Sequence, residues 1–254
     1  MKKNLTWCAI GDSFTYLNDH LEESGYRLHK GYLTRTKEKL SVPVELINLG
    51  MNGSSTQDWI KQDLVEADFY TILLGTNDWL RSHTPLGTKE DFKQIKTGSI
   101  LGNLAYILQK IKEYNENATV IVMTPVERGD FIYLINTTNN AHGSYQTENG
   151  LMLSDIAKMI VEVVCGHKVH ILDLHEQSGF TPENAVHFKR LCVNGEIKDI
   201  SYPEYIGLPY DAKQDPYPYP EEAICMTYDG LHPSDQGCEV IANLLANKIN
   251  ELLG

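Results

Sequence analysis

The sequence predicts an α/β fold, a three-layer α/β/α arrangement around a five-stranded parallel sheet. Two observations predict it. Apolar runs of strand length recur five times along the 254 residues, and stretches of helical periodicity lie between them. Short, continuously apolar, β-rich runs are what a sheet covered on both faces requires. Alternation of strand and helix then implies right-handed crossovers and parallel pairing, with any site at the carboxyl ends of the strands.

Taken in order, the first run is Leu5 to Ile10. It is too brief for the core of a signal peptide and lacks a small-residue cleavage site after it, so it reads as the first strand. Val44 to Asn48 and Phe69 to Leu74 are the second and third. Thr88, with Asp91 three residues on in a capping arrangement, opens a helical stretch toward Asn115 through Phe92, Ile95, Leu104, Leu108 and Ile111. Gly98 and Gly102 are candidate interruptions of it. Thr119 to Met123 is the fourth strand. Leu153, Ile156, Ala157, Ile160, Val161 and Val164 share one helical face, with Asn149 and Gly150 before the run and Gly166 as a stop signal after it. Val169 to Leu172 is the fifth strand. The last helix begins after Pro233 with Ser234 as its cap and carries Val240, Ile241, Leu244, Leu245, Ile249 and Leu252. Two stretches, near 126–150 and 176–228, are too long and irregular for simple connections and read as loops walling a pocket.

Composition narrows the class. A chain of this length with 42% hydrophobic residues buries one substantial core, so residues 1–254 are expected to form a single domain. Its 34 acidic residues against 22 basic ones give a formal net charge of -12, which repels phosphate backbones and anionic membrane surfaces. Neither nucleic acid nor membrane is an expected partner. Five cysteines (Cys8, Cys165, Cys192, Cys225, Cys238), odd in number and without C-x-x-C, indicate neither a disulfide framework nor a zinc knuckle. That cysteine usage fits a reducing cytoplasm, the expected location, and with no stretch approaching 18 apolar residues the chain is expected to be soluble.

The chemistry-bearing residues cluster at strand ends. The first strand closes in Gly11-Asp12-Ser13, where a hydroxyl stands exposed at the strand tip; taken alone, Asp and Ser there serve equally well as turn or cap residues. A serine becomes nucleophilic at neutral pH only beside a base, and Asp229-Gly230-Leu231-His232-Pro233 supplies a carboxylate three residues before an imidazole. In that arrangement Asp229 orients His232 through Nδ1, and Nε2 takes the Ser13 proton. Acyl transfer also needs donors aimed at the oxyanion. The second strand leads into Asn48 to Ser55, with glycines at 50 and 53, and the third into Gly75-Thr76-Asn77-Asp78. Ser13 and Gly53 offer backbone N–H groups and Asn77 a side-chain amide. Singly, each loop reads as an ordinary βα turn; jointly, at successive strand ends, they describe an acyl-transfer site.

These four blocks resemble the GDSL/SGNH hydrolases, whose conserved initials are Ser, Gly, Asn and His in this chain order. The match spans the whole chain and nominates Ser13, Gly53, Asn77, and Asp229 with His232. Phe14-Thr15 stands where the family name has Leu-Ser, and Gly50 precedes the preferred Gly53. The resemblance implies a flavodoxin-like fold and cofactor-free, metal-free ester hydrolysis through an acyl-serine intermediate. The α/β-hydrolase fold shares the order Ser, Asp, His, but its G-x-S-x-G elbow is absent, as are the phosphate-binding glycine motifs.

Other candidates carry less. His170 and His175 with Asp173 resemble a metal set, but the strand-like run puts His170 and Asp173 on opposite faces and no third ligand is evident, so a structural or solvent-facing role is expected. Asp12 and Asp78 are expected to hydrogen-bond loop backbone. Cys225 and Cys238 read as packing residues. The tyrosines and prolines of 202–228 either stack on sugar rings or form a small core of their own, the second being the expectation. The expected activity is hydrolysis of a short acyl group, acetyl above all, from a carbohydrate or similar polar alcohol. A lysophospholipase or acyl-thioesterase is the alternative, and a non-catalytic carbohydrate-binding protein a further one.

Overall fold

All five apolar runs pair into one sheet. In the computed structural model, which describes residues 4–146, 150–164 and 169–253, the elements are β1 (Leu5–Gly11), α1 (Ser13–Tyr16), α2 (Tyr32–Glu38), β2 (Val44–Asn48), α3 (Thr56–Trp59), β3 (Phe69–Leu73), α4 (Lys89–Lys93), α5 (Ile100–Tyr114), β4 (Thr119–Met123), β5 (Phe131–Ile132), β6 (Asn140–Ala141), α6 (Leu153–Val164), β7 (His170–Leu172), α7 (Leu174–Gln177), β8 (Lys189–Val193), β9 (Glu196–Ile200) and α8 (Asp235–Leu253). The sheet order is β2-β1-β3-β4-β7 and every pairing is parallel. The order of strand succession reverses between the neighbouring β1 and β3, and such a switch point leaves a crevice outside the strand ends.

Strand alternation builds the two outer layers. Trp7, Ala9, Phe69, Leu73, Ile121 and Met123 face one side and pack with Tyr32 and Leu33 of α2 and Ile241, Leu245 and Ile249 of α8. Cys8, Ile10, Tyr70, Ile72, Val120 and Val122 face the other, against Trp59, Leu104 and Ile111, and Ile156 and Ile160 of α6. Each face thus draws on every second strand residue, as the pleat requires. Ser234 caps α8 as expected, its hydroxyl accepting the Gly237 N–H at 3.3 Å. Asn149, Gly166 and Cys165 lie outside the described residues.

The stretch from Thr88 to Asn115 is two helices rather than one. Thr88 and Asp91 form the expected capping box, but α4 ends at Lys93 and Ser99 caps a new helix. Gly98 sits in the break with φ 101°, whereas Gly102 lies inside α5, where the helix passes the Lys96 carbonyl too closely for a side chain. The segment 176–228, expected to be irregular, contains the antiparallel hairpin β8–β9. Asn194-Gly195, both with positive φ, make its two-residue turn. Tyr205 and Tyr219 are fully buried with Ile132, Val186 and Ala223 in a third small core, which accounts for much of the tyrosine enrichment.

Candidate active site

Ser13 is the first residue of α1, directly beyond the carboxyl end of β1, and Asp12 caps that helix by accepting the Phe14 N–H at 3.1 Å. From the far end of the chain, the turn before α8 returns His232 to the same point: its Nε2 lies 2.9 Å from Ser13 Oγ. His232 Nδ1 is 2.7 Å from Asp229 Oδ2. The other carboxylate oxygen of Asp229 accepts the His232 and Leu231 N–H groups at 2.8 and 3.1 Å. One carboxylate therefore closes its own turn and fixes the ring above it. With the proton on Nδ1 facing the carboxylate, Nε2 is free to accept from the Ser13 hydroxyl.

Aromatic packing fixes the imidazole further. The Tyr228 ring stacks on it at 5.7 Å between centroids, and Phe131 meets it edge-on at 5.4 Å. Phe131 belongs to β5, in the first of the two long insertions. The same segment grips the Asp229–His232 turn through its backbone: Gly129 N–H donates to Gly230 O at 2.8 Å and Ile132 N–H to Asp229 O at 3.2 Å. The second insertion holds the turn from behind, with Thr227 N–H on Ala185 O at 2.9 Å.

The two candidate glycines have different environments. Gly50 N–H donates to Asn48 Oδ1 at 2.9 Å, and a Cβ there would stand 2.3 Å from the Tyr16 backbone nitrogen. Gly50 is a close-packing residue. Gly53 lines a cavity of about 200 Å³ together with Ser13, Asn77 and His232. Among the described residues its N–H meets no acceptor. Asn77 Nδ2 reaches Asp12 Oδ2 at 3.3 Å, which fixes the amide plane and leaves its second hydrogen. Asp78 ties this loop to the preceding one, accepting the Thr56 N–H at 2.9 Å and the Thr56 hydroxyl at 2.6 Å. Ser13, Gly53, Asn77 and His232 thus share one cavity, with fully buried Asp229 behind the ring.

Burial pushes the Asp12 carboxyl up to about 7, against the opposing pull of the Phe14 N–H and the His232 ring. In an unfolded chain this carboxyl titrates near 3.8, so between that value and about 7 the folded chain holds a proton that the unfolded chain has released. Stability linked to Asp12 therefore falls as pH rises through that window. Asp12→Asn, which cannot ionise, is expected to gain melting temperature relative to the parent as pH goes from about 4 to 8. A pH-independent difference between the two melting curves would refute the shift.

The remaining candidates have protein partners. Asp173 caps α7 and accepts the Thr124 hydroxyl at 2.9 Å, and His175 Nε2 lies 3.3 Å from Glu127 Oε1. Burial pushes the Cys238 thiol up to about 12, as suits a packing residue. The motifs did not point to Arg81, Phe131, Tyr133 and Asn139, which also line the cavity. Arg81 follows Asn77 by four residues on the π-helical turn Asp78–Ser82.

Comparison with known proteins matches this geometry to a family. The profile of the GDSL-like Lipase/Acylhydrolase family matches residues 9–240. The chain belongs to that family. Among solved structures, this acylhydrolase is similar to one described as a possible lipase from Chitinophaga pinensis, with 39% identity and a TM-score of 0.94 over 98% of this chain and 99% of the other. A GDSL-like lipase from Parabacteroides merdae (15% identity, TM-score 0.58, 99% and 98% covered) shares the fold. So does a carbohydrate esterase family 3 protein from Talaromyces cellulolyticus (16%, TM-score 0.52, 98% and 97%). No curated protein matches. Family membership makes the chain an ester hydrolase with an α/β fold around a parallel sheet. Among the described residues no helix is long and apolar enough to cross a membrane.

Proposed function

We propose that this acylhydrolase removes a short acyl group, acetyl above all, from a carbohydrate or similar polar alcohol through an acyl-serine intermediate. The observation that carries the reading is the continuous chain from Asp229 Oδ2 to His232 Nδ1 at 2.7 Å and from Nε2 to Ser13 Oγ at 2.9 Å. Ser13 attacks the ester carbonyl while His232 takes its proton; the alkoxide leaves with that proton; a water activated by the same imidazole then releases the acid. Asp229 holds the tautomer and offsets the imidazolium charge. The Ser13 and Gly53 N–H groups and the Asn77 amide bind the oxyanion.

Polarity supports the short acyl group. The cavity of about 200 Å³ at Ser13 carries Asn52, Gly53, Asn77 and Asn139 in its wall beside Leu80, Phe131, Tyr133 and Leu231, so polar groups stand next to the reacting serine. The net charge of -12 favours a dissolved ester over an anionic lipid surface. A p-nitrophenyl ester series tests this. The expected kcat/KM is highest at acetyl and falls with chain length; a preference for C8 or longer would replace this reading with a lysophospholipase or acyl-thioesterase.

Asn77→Ala is expected to lower kcat by about 10²–10³ with little change in KM, because an oxyanion donor acts mainly after the carbonyl has been attacked. An effect confined to KM would remove Asn77 from that role.

A further inference from the structure

Arg81 is a cationic side chain in the cavity wall that the hydrolytic steps do not use. It is exposed, and among the described residues it has no hydrogen bond and no carboxylate within ion-pair distance. Other arginines differ: Arg35 is engaged by Asp235 and Glu239, and Arg190 by Asp199. The guanidinium rests instead against Gly53, where a Cβ would lie 2.9 Å from its Nη1. A residue with a side chain at 53 would push it off this seat.

Beside Arg81 the two cavities carry no net negative charge, in an otherwise acidic protein. A second cavity of about 390 Å³ adjoins the first, sharing Leu80 and Phe131, and is lined by His83, His142 and Lys189. Its one carboxylate, Asp130, is neutralised by Lys189 Nζ at 2.9 Å with both side chains 3% exposed. Neither cavity therefore presents an uncompensated negative charge, although the whole chain carries 34 acidic residues against 22 basic. The global field opposes an anion. A free guanidinium at the rim supplies the local attraction, and its planar fork matches a carboxylate with two parallel hydrogen bonds.

We propose that Arg81 determines specificity by binding a carboxylate on the alcohol part of the ester. The inference rests on the esterase reading of Ser13, and placement decides which part bears the charge. A short acyl group fits among the buried Ser13 and Asn77, 4% exposed each, whereas Arg81 is exposed in the wall of the same cavity, the solvent side on which we place the larger alcohol.

Binding to a Ser13→Ala background separates this proposal from turnover. Titration calorimetry compares 4-acetoxybenzoate with the neutral 4-acetoxybenzamide. The carboxylate is expected to bind about tenfold more tightly than the amide, as one charge-assisted hydrogen-bond pair suggests. Adding Arg81→Gln should erase the preference and Arg81→Lys should restore part of it. Equal binding of the two ligands, no binding of the carboxylate, or a preference that survives Arg81→Gln would overturn the proposal. Should the chain with Ser13 intact fail to hydrolyse either ester while the preference holds, the esterase reading falls and Arg81 remains an anion-binding residue.

Discussion

Ser13→Ala is expected to lower kcat by about 10⁶-fold and His232→Ala by a similar factor, the scale seen when either member of a serine–histidine pair is removed. The two groups lie 2.9 Å apart and act as a unit: without the hydroxyl there is no nucleophile, and without the imidazole the hydroxyl keeps its proton. The double variant should be no slower than either single one, since each already abolishes the same step. Asp229→Asn should cost about 10⁴-fold, because an amide presents a donor to Nδ1 and favours the wrong tautomer. Steady-state rates on an activated acetyl ester check all of these, with melting curves to establish that each variant is folded. A loss under tenfold for Ser13→Ala would place the nucleophile elsewhere.

Gly230→Ala should cost substantial stability although it touches no reacting group. Gly230 has φ 89°, and a Cβ built on it would stand 1.7 Å from the Asp130 carbonyl oxygen. Alanine meets strain of about 1–3 kcal/mol from its backbone conformation alone. The contact adds to this, because Asp130 lies in the segment 129–132 that grips the Asp229–His232 turn through Gly129 N–H to Gly230 O and Ile132 N–H to Asp229 O. Either this segment retreats or the turn does. We expect a loss of at least about 3 kcal/mol, read as a fall of roughly 6–12 °C in melting temperature for a chain of this size. kcat should fall as well, since moving Asp229 and His232 lengthens the Ser13 contact. A stable and fully active Gly230→Ala chain would mean that the first insertion does not brace the site.

The sheet was legible because its strands are buried on both faces, so each appears as an unbroken apolar run and needs no partner to be recognised. The site was legible for a related reason. Ser13, Gly53 and Asn77 each follow a strand directly, so placing the strands places the motifs. What the sequence hid depends on contacts between distant segments. The break between α4 and α5 was signalled by Gly98, but its position is fixed where Ile100 and Leu101 N–H groups bond back to Pro85 and Leu86 carbonyls at 2.9 and 3.1 Å, while the apolar spacing runs on across it. Clamping of the Asp229–His232 turn by the segment 129–132 joins residues a hundred positions apart and leaves no local pattern. The hairpin β8–β9 did carry a signal, Asn194-Gly195 between two five-residue strands, but in a segment dominated by tyrosine and proline turns. Arg81 had none, since an exposed arginine acquires meaning only from the cavity beside it.

Reaction with a fluorophosphonate, followed by peptide mass spectrometry, reads the nucleophile itself. A single stoichiometric adduct on Ser13 is expected, formed far more slowly in His232→Ala and not at all in Ser13→Ala. No adduct, or one on any other residue, would contradict it.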